Sequence, residues 1–423
     1  MEEIIETKVL LVGADCGTDV DFEQSMTELK SLAEAAGKQV NGIITQKLDG
    51  INKTWYVGSG KVGEIKEYAA ECGAEEVIFD DQLSPSQMRN LGRVLELPIL
   101  DRTKLILDIF ALRAKTREAK LQVETARLQY MLPRLVGMRE ALGRQGGTSG
   151  SMSNKGTGET QLELDRRKIE RRISELQKEL EAISGIRVTQ RRKRDKSDIC
   201  QVALVGYTNA GKSTILNRMV QQYSGADDKT VLEKDMLFAT LETSVRLIDT
   251  GNRRPFYLAD TVGFIAKLPH GLIKAFRSTL MEVQYADLLI HVVDFADEHR
   301  KMHMQVTEET LNEIGAGDIP RIVVYNKADK TDISNLPVCK DNQIYLSASQ
   351  GVGIGELIDL IQKVLYAERN DYKFLFPYQN GGDASLLMKK GEVLEMEYRE
   401  DGIELCVNCD SQYAEKYDIF RIK

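Results

Sequence analysis

The 423-residue sequence predicts an α/β protein in four consecutive parts: an N-terminal α/β domain, an antiparallel helical hairpin, a second α/β domain around a phosphate loop, and a small C-terminal α+β unit. Three observations carry that reading. Over residues 7–105 and 198–367, short β-branched runs alternate with helical periodicity, the rhythm of a largely parallel sheet. Between them, two charged stretches repeat leucine and isoleucine at heptad-like spacing around a run rich in glycine and serine. The pattern "GYTNAGKS", Gly206 to Ser213, stands between an apolar strand and a helix. The length suits about three ordinary domains, and 42% hydrophobic residues are enough to fill their cores.

The first domain, 1–105, reads as the strand "KVLLVGA", a helix through "EQSMTELKSLAEAAG", the strand "VNGIITQ", then "EEVIFD", a helix near "SPSQMRNLGRVLE" and the short run "LPILD". Its "GSGKVGE" is not a phosphate loop, because Trp55 stands where the first glycine belongs and Val62 where a magnesium-binding hydroxyl belongs. It is read as a helix start. The hairpin, 106–197, places Leu121, Leu128, Leu132 and Leu135 on one stripe and Leu162, Ile169, Ile173, Leu176, Leu180 and Ile183 on the other. Each stripe hides on its partner, which makes the run 143–159, "RQGGTSGSMSNKGTGE" within it, the hairpin tip. The last part, 372–423, carries an "EDG" turn between alternating runs, a hairpin signal.

The net charge of -8 conceals an asymmetry: residues 101–200 hold 23 Lys+Arg against 14 Asp+Glu, or +9, so the remainder holds -17. Arg113, Lys115, Arg117, Lys120, Arg166, Arg167, Lys168, Arg171 and Arg172 line the hairpin, and "RRKRDK" leads out of it. Such a block suits a polyanionic partner or a merely solvated helix pair. Six cysteines make no framework, and the single close pair Cys406/Cys409 lacks the second pair a zinc ribbon needs. His299 and His303 sit four apart without the intervening base of a metal-binding helix, so a solvated helix face is expected. No apolar run spans a bilayer and no leader is visible, so the expectation is a soluble, cytoplasmic protein.

The phosphate chemistry is more specific. Gly206, Tyr207, Thr208, Asn209, Ala210, Gly211, Lys212, Ser213 and Thr214 form a complete loop and helix start. Its backbone N–H groups can approach phosphate oxygens, Lys212 neutralises the β and γ phosphates, and Ser213 ligates Mg2+. Asp260, at the end of "RPFYLAD", is placed to hold the same ion, and Thr261, Val262 and Gly263 follow, with the Gly263 N–H aimed at the γ-phosphate. Asn326, Lys327, Ala328 and Asp329 end another buried strand. A carboxylate there accepts from guanine N1–H and the 2-amino group, which adenine lacks. Ser347, Ala348 and Ser349 fit the loop beside the guanine O6. Within Phe238, Ala239, Thr240, Leu241 and Glu242, Thr240 is expected to close over Mg2+, with Thr243 the other register. The motifs predict a GTPase that exchanges GTP for GDP states. Lys212, Thr240 and Gly263 are expected to act on the transferred phosphate, and Ser213, Thr240 and Asp260 to hold the metal. Phe264 occupies the place where many small GTPases carry a water-positioning glutamine, so intrinsic turnover is expected to be slow.

With "GYTNAGKS", "LFATLE", "DTVGFI" and "NKAD", and outside that domain "LPRLVG", "RQGG" and "GETQLELDRR", the chain resembles the HflX family of translational GTPases in the Obg-HflX group over nearly its whole length. The resemblance implies an N-terminal α/β domain, a hairpin and a Ras-like domain of a monomeric protein. It implies binding to the 50S subunit, with the tip near the peptidyl transferase centre of 23S rRNA, and splitting of stalled or stress-arrested 70S ribosomes. GTP would favour the bound state and hydrolysis release. In related GTPases an asparagine at the Asn209 position helps hold K+; the other reading is that Asn209 only shapes the loop. Family members usually carry proline where Thr157 stands, and this tip is about three residues longer, with Met152 near its middle. That departure implies either rescue of antibiotic-stalled ribosomes, as in a resistance-type paralogue, or neutral drift in loop length. The rival functions are a large-subunit binding or assembly factor without splitting activity, an ATP-driven RNA remodeller, and a metabolic GTPase that needs no ribosome.

Overall fold

The computed structural model describes residues 7–17, 21–145, 155–195, 199–223, 238, 243–251, 254–267, 269, 277–333, 335–366 and 369–422. Over 136–145, 155–162, 186–195 and 277–280, and at 369, 389, 390, 392 and 410–412, the backbone alone is described. Of the expected tip, 143–159, residues 146–154 fall outside the described residues, while 143–145 and 155–159 are the ends of two helices rather than loop.

The first domain alternates β1 (Thr7–Asp15), α1 (Phe22–Ala35), β2 (Lys38–Lys47), α2 (Ser59–Glu71), β3 (Glu76–Phe79), α3 (Pro85–Leu95) and β4 (Ile99–Asp101). Its sheet, in the order β2-β1-β3-β4, is wholly parallel. A parallel sheet needs cover on both faces, and Val9 to Val12 are accordingly fully buried. Local chemistry starts the helices: Asp21 caps α1, and Ser84 and Gln87 form a reciprocal capping box with Pro85 at the first turn of α3. The "GSGKVGE" run opens α2, as its failed phosphate-loop pattern suggested.

The helical pattern that begins near residue 104 is two helices, α4 (Arg102–Arg113) and α5 (Arg117–Gln145). Ala114 is extended, and Thr116 Oγ1 accepts from Ala119 N at 3.2 Å to restart the chain. Leu105, Ile106, Leu107 and Ile109 of α4 are all fully buried, so this helix belongs to the core rather than to an exposed arm. The long helix α6 (Lys155–Asp195) returns antiparallel to α5. Leu176 is fully buried in the seam, with Ile169, Ile173, Leu180 and Ile183 half-buried beside it. Several hairpin cations face carboxylates: Arg117 to Glu179 at 2.8 Å and Arg172 to Glu124 at 2.9 Å across the seam, and Arg166 to Glu170 and Arg167 to Glu163 along α6. These pairs are solvent-exposed and screened, so packing of the seam carries the hairpin.

The second α/β domain contains β5 (Gln201–Val205), α7 (Lys212–Tyr223), β6 (Ser244–Ile248), β7 (Phe256–Asp260), α8 (Arg277–Gln284), β8 (Leu288–Asp294), α9 (Arg300–Glu313), β9 (Arg321–Asn326), β10 (Val338–Lys340), β11 (Gln343–Tyr345) and α10 (Ile354–Leu365). Its sheet runs β10-β11-β9-β8-β5-β7-β6, parallel except at the two edges. The C-terminal unit, β12 (Arg369–Phe376), α11 (Gly381–Lys390), β13 (Glu392–Arg399), β14 (Gly402–Asp410), α12 (Ser411–Lys416) and β15 (Arg421–Ile422), is an antiparallel sheet in the order β13-β14-β12-β15. Arg254 Nη2 joins it to the second domain through the Asn408 carbonyl at 3.1 Å.

One hydrophobic cluster crosses the domain boundary. Phe110 of α4 and Ala119, Val123 and Tyr130 of α5 share it with Tyr207, Phe238, Val262 and Ile265. Beneath it Arg102, 1% exposed, pairs with Glu28 and, at 2.7 Å, with Asp80. Removing the buried cation takes from Glu28 its cationic partner and from Asp80 one of its two, leaving Tyr207 and Lys267 to hold them, and breaking such a buried pair costs about 3–5 kcal/mol. Arg102→Met should therefore lower the urea midpoint of the full chain, and an unchanged midpoint would show that the network contributes nothing to stability.

Candidate functional site

The loop after β5 is shaped by close approaches that only glycine permits. Gly206 has φ +142°, and a Cβ there would lie 2.2 Å from the Val292 carbonyl. Gly211 has φ +97°, with the Asn326 amide 2.1 Å from where its Cβ would be. The loop thus lies flat on β8 and β9 and delivers its N–H groups to the start of α7, where the helix dipole favours an anion.

Lys212 is buried in that loop, with Nζ donating to the Gly206 and Tyr207 carbonyls at 2.9 and 2.7 Å. Burial pushes its pKa down to about 8, against the opposing pull of Asp260. Ser213 Oγ donates to Asp260 Oδ2 at 2.7 Å, which brings two hard oxygen ligands together at the end of β7. Thr261 Oγ1 holds the Leu204 carbonyl at 2.6 Å. Gly263 presses on the loop: a Cβ would meet Thr208 Cα at 2.8 Å and Lys212 Nζ at 3.0 Å. The two segments are tied by Thr208 N to the Phe264 carbonyl at 2.8 Å and Phe264 N to the Gly206 carbonyl at 3.1 Å.

Asn326 fixes the far side, donating to the Ala210 carbonyl at 2.9 Å and accepting from Ala348 N at 3.0 Å. Lys327, with φ +58°, donates to the Asn209 carbonyl and to Asp294, both at 2.8 Å. Ala328 is fully buried, and Asp329 Oδ1 is shielded from solvent with no hydrogen-bond partner among the described residues. An orphaned carboxylate oxygen is what a base bearing N–H donors would satisfy. Ser347 and Ser349 face each other at 3.2 Å, and Arg218 braces their loop through the Ala348 carbonyl at 3.0 Å.

The structure thus gathers Gly206 to Thr214, Asp260 to Gly263, Asn326 to Asp329 and Ser347 to Ser349 around one place. Ala239, Thr240, Leu241 and Glu242 lie outside the described residues. Phe238 is described, and its ring stands edge-on to Phe110 at 4.7 Å. The Phe264 ring is buried with Ala203, Val205, Ala259 and Val283, so no polar group is supplied from that position. The expected solvated face for His299 and His303 is corrected. His299 precedes α9 and meets Asp21 at 2.7 Å, while His303 is buried, stacked on Tyr207 at 3.8 Å with Asp297 at 3.2 Å from Nδ1. The aromatic loop residue needed a stacking partner, and four-residue spacing alone does not disclose one.

Sequence reasoning missed the contacts that reach this loop from the first domain. Tyr207 Oη donates to Glu28 of α1 and accepts from Ala266 N at 2.7 Å. Burial and Glu28 together raise the Tyr207 pKa, so the phenol keeps its proton. Lys267, φ +57°, spans to Asp80 at 2.7 Å and Asp81 at 3.0 Å. The signal in the sequence was a tyrosine inside a phosphate loop, an odd place for a large ring.

Comparison with known proteins covers the same ground. Three family models match in succession: "GTP-binding GTPase N-terminal" over residues 23–111, "GTP-binding GTPase Middle Region" over 113–194 and "50S ribosome-binding GTPase" over 201–327. The chain is 43% identical over 422 residues to a protein named GTPase HflX from Caldanaerobacter subterraneus subsp. tengcongensis, covering 100% of this chain and 96% of that one. It is 40% identical to the Escherichia coli K12 protein of the same name, over 90% of this chain and 88% of that one. A solved GTP-binding protein from Sulfolobus solfataricus in complex with GDP is 26% identical, with TM-score 0.43, over 85% of this chain and 99% of that one.

Asn326 offers a local test. Asn326→Ala removes both of its hydrogen bonds and strands the Ala210 carbonyl and the Ala348 N–H, at about 1–3 kcal/mol per orphaned group. GDP affinity, read by fluorescence of a labelled nucleotide, should fall at least tenfold, whereas equal affinity would show that the loops hold their shape without it.

Proposed function

The chain belongs to the HflX GTPase family, and on that premise we propose that it is a GTP-driven switch that binds the large ribosomal subunit and splits stalled or stress-arrested 70S ribosomes. It binds GTP and GDP and hydrolyses GTP, and its family is one of ribosome-binding GTPases. The observation that carries the finer reading is the shared core. Tyr207 of the phosphate loop, Phe238, and Val262 and Ile265 beside Gly263 pack into the same cluster as α4 and α5. A change at the γ-phosphate is therefore felt where the hairpin begins, and the hairpin is the part whose charge suits rRNA.

In this reading Lys212 and the loop N–H groups hold the β and γ phosphates, and the Gly263 N–H reads the γ-phosphate. Asp329 with Asn326 selects guanine, and the Ser347–Ser349 loop closes on its O6. Ser213 and Asp260 fit Mg2+, with Thr240 completing the set; the ion would neutralise phosphate charge. Asn209, exposed at φ +59°, is the residue that would face K+. With Phe264 turned into the core, the water-orienting group comes from elsewhere, and large-subunit contact is the natural source. The protein acts in the cytoplasm as a monomer, and its hairpin tip approaches the peptidyl transferase centre. The longer tip around Met152 would favour rescue of antibiotic-stalled ribosomes.

GTP hydrolysis measured alone and with 50S subunits, 30S subunits or 70S ribosomes tests this. Stimulation by 50S and 70S but not 30S is expected, and stimulation by none would remove the ribosome from the mechanism. A sucrose-gradient profile with a non-hydrolysable GTP analogue should convert 70S into subunits; intact 70S with bound protein would favour a binding or assembly factor.

Lys212 gives a pH dependence. Its folded-state pKa, about 8, lies below the ordinary 10.5, so the free chain loses the charge as pH rises through 8, while bound phosphates demand it. Nucleotide affinity should be flat below that point and fall above it, approaching about tenfold per pH unit, with proton uptake on binding at pH 9 by calorimetry. A flat profile would mean that Lys212 stays charged in the empty site.

A further inference from the structure

The C-terminal unit leaves one long strand edge open. β13 pairs with β14 on one side, and no strand pairs with its other side among the described residues. Edge strands present unpaired backbone N–H and C=O groups, and proteins ordinarily keep them short, bent or covered. β13 runs for eight residues, and every position from Val393 to Glu400 is exposed.

Register sorts its side chains. Val393, Met396 and Tyr398 stand opposite Val407, Leu405 and Ile403, on the face whose partners Leu405 and Val407 are fully buried against the helices. Glu395 and Glu397 stand opposite Cys406 and Glu404 on the other face. A bulge between Val393 and Glu395 sets Leu394 out of the ladder. Val393, Leu394, Met396 and Tyr398 are 40, 46, 42 and 70% exposed, which extends the apolar face of the core past its helical cover to the edge. The edge is therefore two-sided, with an apolar stripe on one face and carboxylates on the other.

We propose that β13 is a docking edge for an extended basic polypeptide, which adds to the sheet as a further strand. Its apolar side chains would continue the Val393–Met396–Tyr398 stripe, and its alternating lysine or arginine side chains would meet Glu395 and Glu397. Charge excludes the other occupants. Between Glu392 and Glu404 the chain carries six carboxylates against the single cation Arg399, which itself pairs with Glu404 at 2.6 Å. A second copy would bring like charges into opposition across the new strand pair, which destabilises it. A nucleic acid or an anionic lipid surface would be repelled. The edge also ends firmly, because Tyr378 Oη holds the Arg399 carbonyl at 2.7 Å. The inference stands apart from the ribosome reading, since no residue of the nucleotide site or hairpin enters it.

The test uses the full-length chain and a short synthetic peptide that alternates lysine with valine. Fluorescence anisotropy should show saturable binding that weakens with salt, and hydrogen exchange should show slowed amides in β13. The same peptide N-methylated at alternate backbone nitrogens should bind at least tenfold more weakly, because it cannot complete the ladder. The double change Glu395→Gln and Glu397→Gln, on exposed surface, should weaken binding roughly three- to tenfold without altering GTP hydrolysis. Absence of peptide binding, equal binding of the N-methylated peptide, or equal binding by the double variant would overturn the proposal. So would concentration-dependent self-association that protects β13 without peptide, since that would make a second copy the occupant.

Discussion

A fully buried guanidinium, Arg102, is the constraint on which the arrangement of the domains rests. Burial opposes its charge, but Glu28 and Asp80 more than compensate and raise its pKa, so it remains a cation where solvent cannot reach. Burial alone would likewise raise Asp80; Arg102 and Lys267 reverse that and hold it below the usual carboxylate range. Each group is tolerable inside the protein only because the others are there. Arg102 opens α4, Glu28 lies on α1 and Asp80 follows β3, so one ionic knot fixes three elements of the first domain.

The knot does not end at the domain boundary. Glu28 also receives the Tyr207 phenol, and Asp80 also receives Lys267, so both carboxylates are shared with the phosphate loop and the segment after Gly263. Tyr207 in turn accepts from the Ala266 backbone, which links the phosphate loop to the segment after Gly263 through one side chain. A displacement of that segment has to stretch or break a charge-assisted bond in a dry environment, where such bonds are strongest. The phosphate loop and the segment after Gly263 are thereby joined to the first domain by electrostatic as well as packing contacts.

Much of this was legible in the sequence, for physical reasons. Parallel strands buried on both faces read as apolar runs, and a phosphate loop needs glycine at fixed places, so both domain folds and the loop, Asp260 and Asn326–Asp329 could be placed by pattern. The capping box at Ser84 and the "EDG" hairpin are local chemistry and were equally readable. What pattern could not disclose was long-range pairing. Nothing within a window around Glu28 distinguishes it from the exposed Glu23 of the same helix, and its partners lie 74 and 179 positions away. His303 looked like a surface residue for the same reason, because its stacking partner Tyr207 is remote in sequence. The break between α4 and α5 was missed since Ala114 carries no glycine or proline to announce it.

Phe264 is divided between the phosphate loop and the core of the second domain. Its backbone is held at both polar groups by the phosphate loop, while its ring fills the core of the second domain. A polar residue here would have to abandon that core, leaving a cavity, in order to reach the nucleotide. This position therefore offers the site backbone groups alone, and any side chain that orients a water would have to come from elsewhere. A differential contact of about 1–3 kcal/mol at the partner is enough to change an equilibrium 5- to 150-fold. Because the sensing segments and the base of the hairpin share one core, such a contact on the hairpin would act on the nucleotide site. By the same linkage, GTP at the site would strengthen whatever the hairpin holds.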